Sequence, residues 1–276
     1  MTTATAILQP ATADAPRAGR LARAAALVRA EVLLLVRNRT TLFNAVALAP
    51  LTVVFLASVG MVPDVGGGAV AGMLVTTLVA IALVIVVYYN LTTTLVARRE
   101  ELVLKRLLTG DVSRTEIVAA CATPAVLVLF AQVALGIVAM AVWMEMPAMQ
   151  NAAWLVLALA GGGVLFVLLA AASSGLTRTV ETAQLTTLPI LMVATALSGI
   201  AVPLHLMPDV VERVAEWTPM YPVVALLQHG LGAATLDGAV ASGALDDVLQ
   251  PIAALAAWIV LGALATRRWM RWEPRR

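Results

Sequence analysis

The chain has 276 residues, 61% of them hydrophobic and 12% charged, with a net charge of +2 and a mean hydropathy of +0.94. Soluble domains carry about 25% charged residues, so this chain has too little polar surface to cover itself in water, and most of it must face lipid or other helices. Its single cysteine, Cys121, excludes an intrachain disulfide and reads as a small apolar filler.

Residues 1–19 are rich in Ala, Thr and Pro and lack an apolar core behind a basic patch, so a disordered cytoplasmic tail is expected rather than a signal peptide. Over residues 20–38 a helical wheel puts Leu21, Ala25, Val28, Val32, Leu35 and Val36 on one face and Arg20, Arg23 and Arg37 opposite. That is a basic amphipathic helix lying in an interface, either a plain anchor or a lever on the first span.

Crossing a bilayer takes about 20 mostly apolar helical residues. Stretches free of Asp, Glu, Lys and Arg place six transmembrane helices near 41–61, 70–94, 117–142, 152–174, 184–203 and 248–266. Between the second and third, residues 97–116 predict a short helix around Leu102, Lys105, Arg106 and Leu108, a stop at Gly110, and a capping box from Ser113 to Glu116. A solvated connector does not need Leu102, Val103, Leu104, Leu107 and Leu108, and an apolar patch rimmed by charge predicts a docking surface for a cytoplasmic partner.

Trp143 and Trp154 flank the loop between spans three and four, and Trp269 and Trp272 end the last span, as interfacial anchors do. Gly161-Gly162-Gly163 in span four allows either close helix approach or a local bend. After span five, Asp209, Val210, Val211, Glu212, Val214 and Trp217 predict a short amphipathic helix. The charge-free stretch Trp217–Leu236 is broken by Pro219, Pro222, Gly230 and Gly232, leaving Val223–Leu227 as its longest apolar run. It is too short to span and suits a re-entrant or interfacial segment. His205 and His229 stand without Cys, Asp or Glu at ligand spacing, so no metal is expected.

In this arrangement seventeen of the eighteen Lys and Arg residues fall on the side of the two termini, with Arg213 the exception, while the acidic residues divide evenly. The bias of Lys and Arg predicts both termini in the cytoplasm. No ionisable residue sits in the middle of a span, which argues against a proton relay. What is left is polar side chains such as Asn44, Thr76, Thr77, Asn90, Gln132, Gln184, Thr186 and Ser198. Of these, Asn44, Thr76, Thr77, Gln132, Thr186 and Ser198 are candidates to line a path, or else bond neighbouring helices. The one lysine, Lys105, lies in Glu-Leu-Val-Leu-Lys-Arg, which is no phosphate-binding loop, and nothing resembles a hydrolase triad. Uphill work would need energy from another subunit.

The run from Arg99-Glu100-Glu101 through Leu104-Lys105-Arg106-Leu107 to Val112-Ser113-Arg114 resembles the coupling loop of membrane subunits of ABC transporters of the ABC-2 exporter type, close to actinobacterial drug-resistance permeases. Pro219–Leu231 is similar to that family's proline-led segment before the last span. Leu102-Val103 stands where the family often has Gly-Thr, Gln228 where an arginine is common, and Gly110-Asp111 where a proline region is usual. The resemblance implies an ABC-2 type transmembrane domain over 20–266, followed by a basic cytoplasmic tail at 267–276. It implies that Glu100, Glu101, Leu104, Lys105, Arg106 and Leu107 meet a cytoplasmic P-loop ATPase subunit, which holds ATP and Mg. It further implies a homodimer or a pairing with a similar permease in a bacterial plasma membrane, among membrane lipid. The cargo would be a small apolar or amphipathic molecule, such as a drug, natural product or lipid, moved outward; no nucleic acid partner and no cofactor in this chain are expected. Two other readings remain beside it. One is a lipid-modifying membrane enzyme with Glu100, Glu101 and Asp111 as metal ligands; the other is an ATP-independent sensor or assembly partner.

Overall fold

A computed structural model of the chain describes residues 20–37, 67–109, 112–143, 145–200, 204–235, 239–242 and 244–273, with six single positions between 43 and 58. The expected tail at 1–19, nearly all of the first span, Asn44, Gly110 and Asp111 lie outside the described residues. The helices are α1 (Arg20–Arg37), α2 (Gly67–Glu100), α3 (Val103–Leu108), α4 (Arg114–Trp143), α5 (Ala152–Leu176), α6 (Val180–Ala196), α7 (Asp209–Ala215), α8 (Tyr221–Leu231) and α9 (Leu245–Trp269). Among the described residues there is no strand, only an isolated bridge between Ala234 and Val240.

Four helices, α2, α4, α5 and α9, are long and apolar enough to cross a membrane. The shortest of them have 25 residues, about 38 Å at the α-helical rise. The helix over the expected fifth span, α6, has 17 residues. It starts at Val180, where the Thr179 hydroxyl and Thr182 form a reciprocal cap. It stops before Gly199, whose φ of +79° takes the chain out of the helix, although the charge-free stretch runs on to Pro208. An apolar stretch bounds a helix but does not say where its backbone turns.

α2 is the axis of the fold: 89% of its apolar window is buried inside the chain. Its middle, Leu83–Tyr89, widens into π-helical turns, a feature that is rare and concentrates at functional positions. The widened turn carries Tyr88, whose ring meets Phe166 edge-on at 6.4 Å and whose hydroxyl lies 3.0 Å from the Ser173 hydroxyl on α5.

α5 and α9 run parallel and in register. Gly161 faces Leu255, Leu168 faces Gly262, and Gly175 faces the backbone of Trp269, so contacts recur every seven residues on both helices. Small residues let two backbones close on each other where lipid supplies no hydrophobic drive. Of the glycine triplet, Gly161 and Gly162 serve close approach, to Leu255 on one side and to Val223 and Leu83 on the other, while Gly163 faces open space. The helix runs through the triplet without interruption.

α8 lies antiparallel to α5, with Val223 against Gly162 and Gly230 against Leu155 and Asn151. Gly162 is ten residues along α5, about 15 Å from its start. The chain therefore reaches roughly half the depth of the bundle and climbs back to the end where it entered. Eight of the eleven α8 residues are buried. The carbonyl of Gly230 at its end accepts from the backbone N–H groups of Gln150 and Asn151 at 2.9 and 3.1 Å, and Gly232 closes the helix at φ +56°. Backbone at this depth persists only where other protein groups satisfy it. Finally, α1 lies along α4, with Val28 and Val32 half-buried and Leu33, Leu34 and Val36 open.

Candidate functional site at the charged end of the bundle

The end of the bundle at Leu176 gathers three segments far apart in sequence: residues 97–109, the linker 177–179 and the tail 267–273. α2 leaves the core at Glu100, and Leu102 turns the chain with φ +61°. Among the described residues it is the one non-glycine with positive φ. A left-handed turn costs a β-carbon-bearing residue about 1–2 kcal/mol, a strain that glycine in its place would lift. The turn folds α3 back over the bundle.

Leu104 is 1% exposed and belongs to the main core, with Leu107 and Leu108 packed against it. The expected apolar docking patch is therefore turned inward. Positions 104, 107 and 108 share one face of α3, and that face is the one that seats on the bundle; Leu102, 41% exposed, is the open apolar side chain. The outward surface is Glu100, Glu101, Leu102, Lys105 and Arg106, with Leu104 and Leu107 as its footing.

Arg99, directly before this surface, is 1% exposed. Its Nη1 donates to the Ser174 carbonyl at 2.6 Å, and its Nη2 to the carbonyls of Thr177 and Arg178 at 2.7 and 3.0 Å. These are acceptors left over at the C-terminus of α5, the end where the helix dipole favours a cation. One turn further on, the Thr177 and Thr186 hydroxyls are 2.7 Å apart. Arg99 thus ties the end of α2 to the end of α5, and the linker passes the tie to α6. In the sequence Arg99 is one more basic residue and the first of the loop run, with no sign of this tie, because nothing local pairs position 99 with position 174.

The tail completes the surface. Lys105 Nζ lies 3.0 Å from Glu273 Oε1, both groups exposed, a pair worth at most about 1 kcal/mol. The Arg114 guanidinium stands 5.6 Å above the Trp272 ring. The capping box is present: Ser113 N–H donates to Glu116 Oε2 at 2.7 Å, and Glu116 N–H to Ser113 Oγ at 3.3 Å.

The polar candidates in the spans are mostly occupied within their own helices. Thr76 and Thr77 are buried and donate to the carbonyls of Gly72 and Met73, each at 2.9 Å. Ser198 is buried and donates to the Thr195 carbonyl at 3.1 Å, Gln132 is fully buried, and Thr186 is exposed. None of them lines the apolar cavity between α5, α6, α7 and α9. Among the described residues no group of three or more His, Cys, Asp or Glu is placed to hold a metal ion; Asp111, the third ligand of the enzyme reading beside Glu100 and Glu101, lies outside them.

The model of the family described as ABC-2 family transporter protein matches residues 43–267. No curated protein matches the chain.

Proposed function

The chain belongs to the ABC-2 family and is a membrane subunit of an ABC transporter; from that premise we propose that it is the permease half of an ATP-driven exporter, six spans with both termini in the cytoplasm. The basic residues of the Leu176 end, Arg98, Lys105, Arg106, Arg114, Arg178, Arg267, Arg268 and Arg271, support that end as the cytoplasmic one, with α8 as a re-entrant helix from the far side. The family carries no ATP site of its own and associates with a cytoplasmic ATPase subunit. The ATPase docks on Glu100, Glu101, Lys105 and Arg106, with ATP and Mg on its own side of the contact. A second copy, or a similar permease, faces this one, and a small apolar or amphipathic cargo leaves between them through a bacterial plasma membrane.

The observation that carries this reading is the clamp behind the docking surface. A loop that only connects two spans has no need of a core leucine beneath it and a buried arginine tying it to two other helices. With Leu104 and Arg99 in place, displacement of α3 moves the ends of α2 and α5 and the start of α6 together. The test is a transport assay on Leu104→Ala and Arg106→Asp variants that still reach the membrane. Loss of export with the ATPase still bound and turning over in Leu104→Ala, and loss of export with the ATPase released in Arg106→Asp, support the linkage; normal export by both variants removes it.

A further inference from the structure

Between α5, α6, α7 and α9 lies a cavity of about 760 Å³, inside the range of about 300–1,000 Å³ typical of small-molecule sites. Its walls are apolar. Val193 comes from α6, Trp258 from α9, and Val210, Val214 and Trp217 from α7 and the turn after it. Arg213 is the one charged residue that lines it. Positions 210, 213, 214 and 217 follow helical spacing on one face, while Asp209, Glu212 and Glu216 fall on another. The α7 acids are not among the lining residues; Asp209 and Glu216, four and three positions from Arg213, are its neighbours on the helix surface, yet among the described residues neither forms an ion pair with it. Thr218, the other polar group in the wall, spends its hydroxyl on the carbonyls of Ala215 and Leu197. The wall is held at depth, since the Trp258 indole N–H donates to the Trp217 carbonyl at 2.7 Å. Trp258 lies thirteen residues along α9, about 20 Å from its start.

Arg213 is also the one basic residue of the eighteen that the charge bias does not account for. A guanidinium beside an apolar slot that faces lipid favours an anionic or strongly polar partner. Val210, Val214 and Trp217 are 72%, 57% and 53% exposed, so the slot opens outward from the bundle, toward the lipid that the composition of this chain requires around it. We infer that the cavity binds an anionic phospholipid from the surrounding leaflet, its phosphate on Arg213 and one acyl chain along Val193, Val210, Val214 and Trp217. The site stands on the membrane location of the chain and is independent of what the transporter moves.

The test uses the full chain in nanodiscs of phosphatidylcholine, doped either with phosphatidylglycerol brominated in its acyl chains or with equally brominated phosphatidylcholine. Tryptophan quenching is read, and a Trp217→Phe variant identifies the signal from the cavity. Both lipids carry a phosphate, so the preference comes from the net negative charge that choline cancels; one arginine beside that charge corresponds to about a fivefold preference, and the anionic lipid should quench the Trp217 signal at about one fifth the mole fraction of the neutral one. Arg213→Gln should make the two lipids equal, and Arg213→Lys should keep part of the preference. Equal quenching by both lipids in the natural sequence overturns the inference, as does a preference that survives Arg213→Gln. Absence of Trp217 quenching by either lipid also overturns it, because protein would then cover the slot.

Discussion

Replacing Arg99 with methionine removes a buried cation and keeps most of the side-chain volume. The guanidinium serves three carbonyls, those of Ser174, Thr177 and Arg178, and each bond to a charged donor contributes about 1.5–3 kcal/mol in a buried site. The contributions do not add in full, since the variant is also spared the cost of burying the charge. Breaking one side of a buried charged constellation costs about 3–5 kcal/mol, and that is the expected loss. Cys121, 4% exposed and the only thiol in the chain, is a built-in reporter, because a thiol-reactive dye labels it only as the bundle opens. Arg99→Met should label at a midpoint lower by on the order of 10 °C, taking about 2–4 °C per kcal/mol for a chain of this size. Arg99→Lys keeps a point charge but not the fork, and should lose about half as much. In complexes that still assemble, Arg99→Met should leave ATPase binding intact and lower export per ATP hydrolysed. A methionine variant with the labelling midpoint of the natural sequence and normal coupling would refute the clamp.

Gly175→Ala puts a methyl group into the Trp269 carbonyl, so the α5–α9 seam must open; thiol labelling should begin well below the natural midpoint, whereas Gly163→Ala, in open space, should leave it unchanged. Leu102→Gly removes a left-handed leucine and should stabilise the backbone by about 1 kcal/mol; if the exposed leucine itself contacts the ATPase, the same variant binds that subunit less tightly despite its higher midpoint. Tyr88→Phe deletes the bond to Ser173 and should cost about 1 kcal/mol in the labelling assay.

The membrane class was legible because it follows from how much of the chain cannot face water, and the family because its loop residues are ordered along one short run. What the sequence could not show depends on which side of an element is buried. Helical spacing puts Leu104, Leu107 and Leu108 on one face but does not say that this face turns inward. The basic count includes Arg99 without saying that α5 ends beside it. The charge-free stretch through Ser198 extends past the point where Gly199 turns the backbone. The glycine triplet left close approach and bending open until Leu255, Val223 and Leu83 were seen against it. The π-helical turn at Leu83–Tyr89 has no local signal at all, since its apolar residues fit an ordinary helix equally well.

The central claim is that an ATPase docks on the charged end of this bundle. It is tested most directly by purifying the tagged chain from its native membrane in mild detergent and identifying what accompanies it, for the natural sequence, for Lys105→Glu/Arg106→Glu, and for Lys105→Glu/Glu273→Lys. The last variant restores the pair between loop and tail with the charges exchanged, and so separates a disturbed tail from a disturbed docking surface. The account predicts a P-loop ATPase with the natural sequence, lost from both variants. Natural chain that purifies without an ATPase, or an ATPase retained by Lys105→Glu/Arg106→Glu, would contradict it.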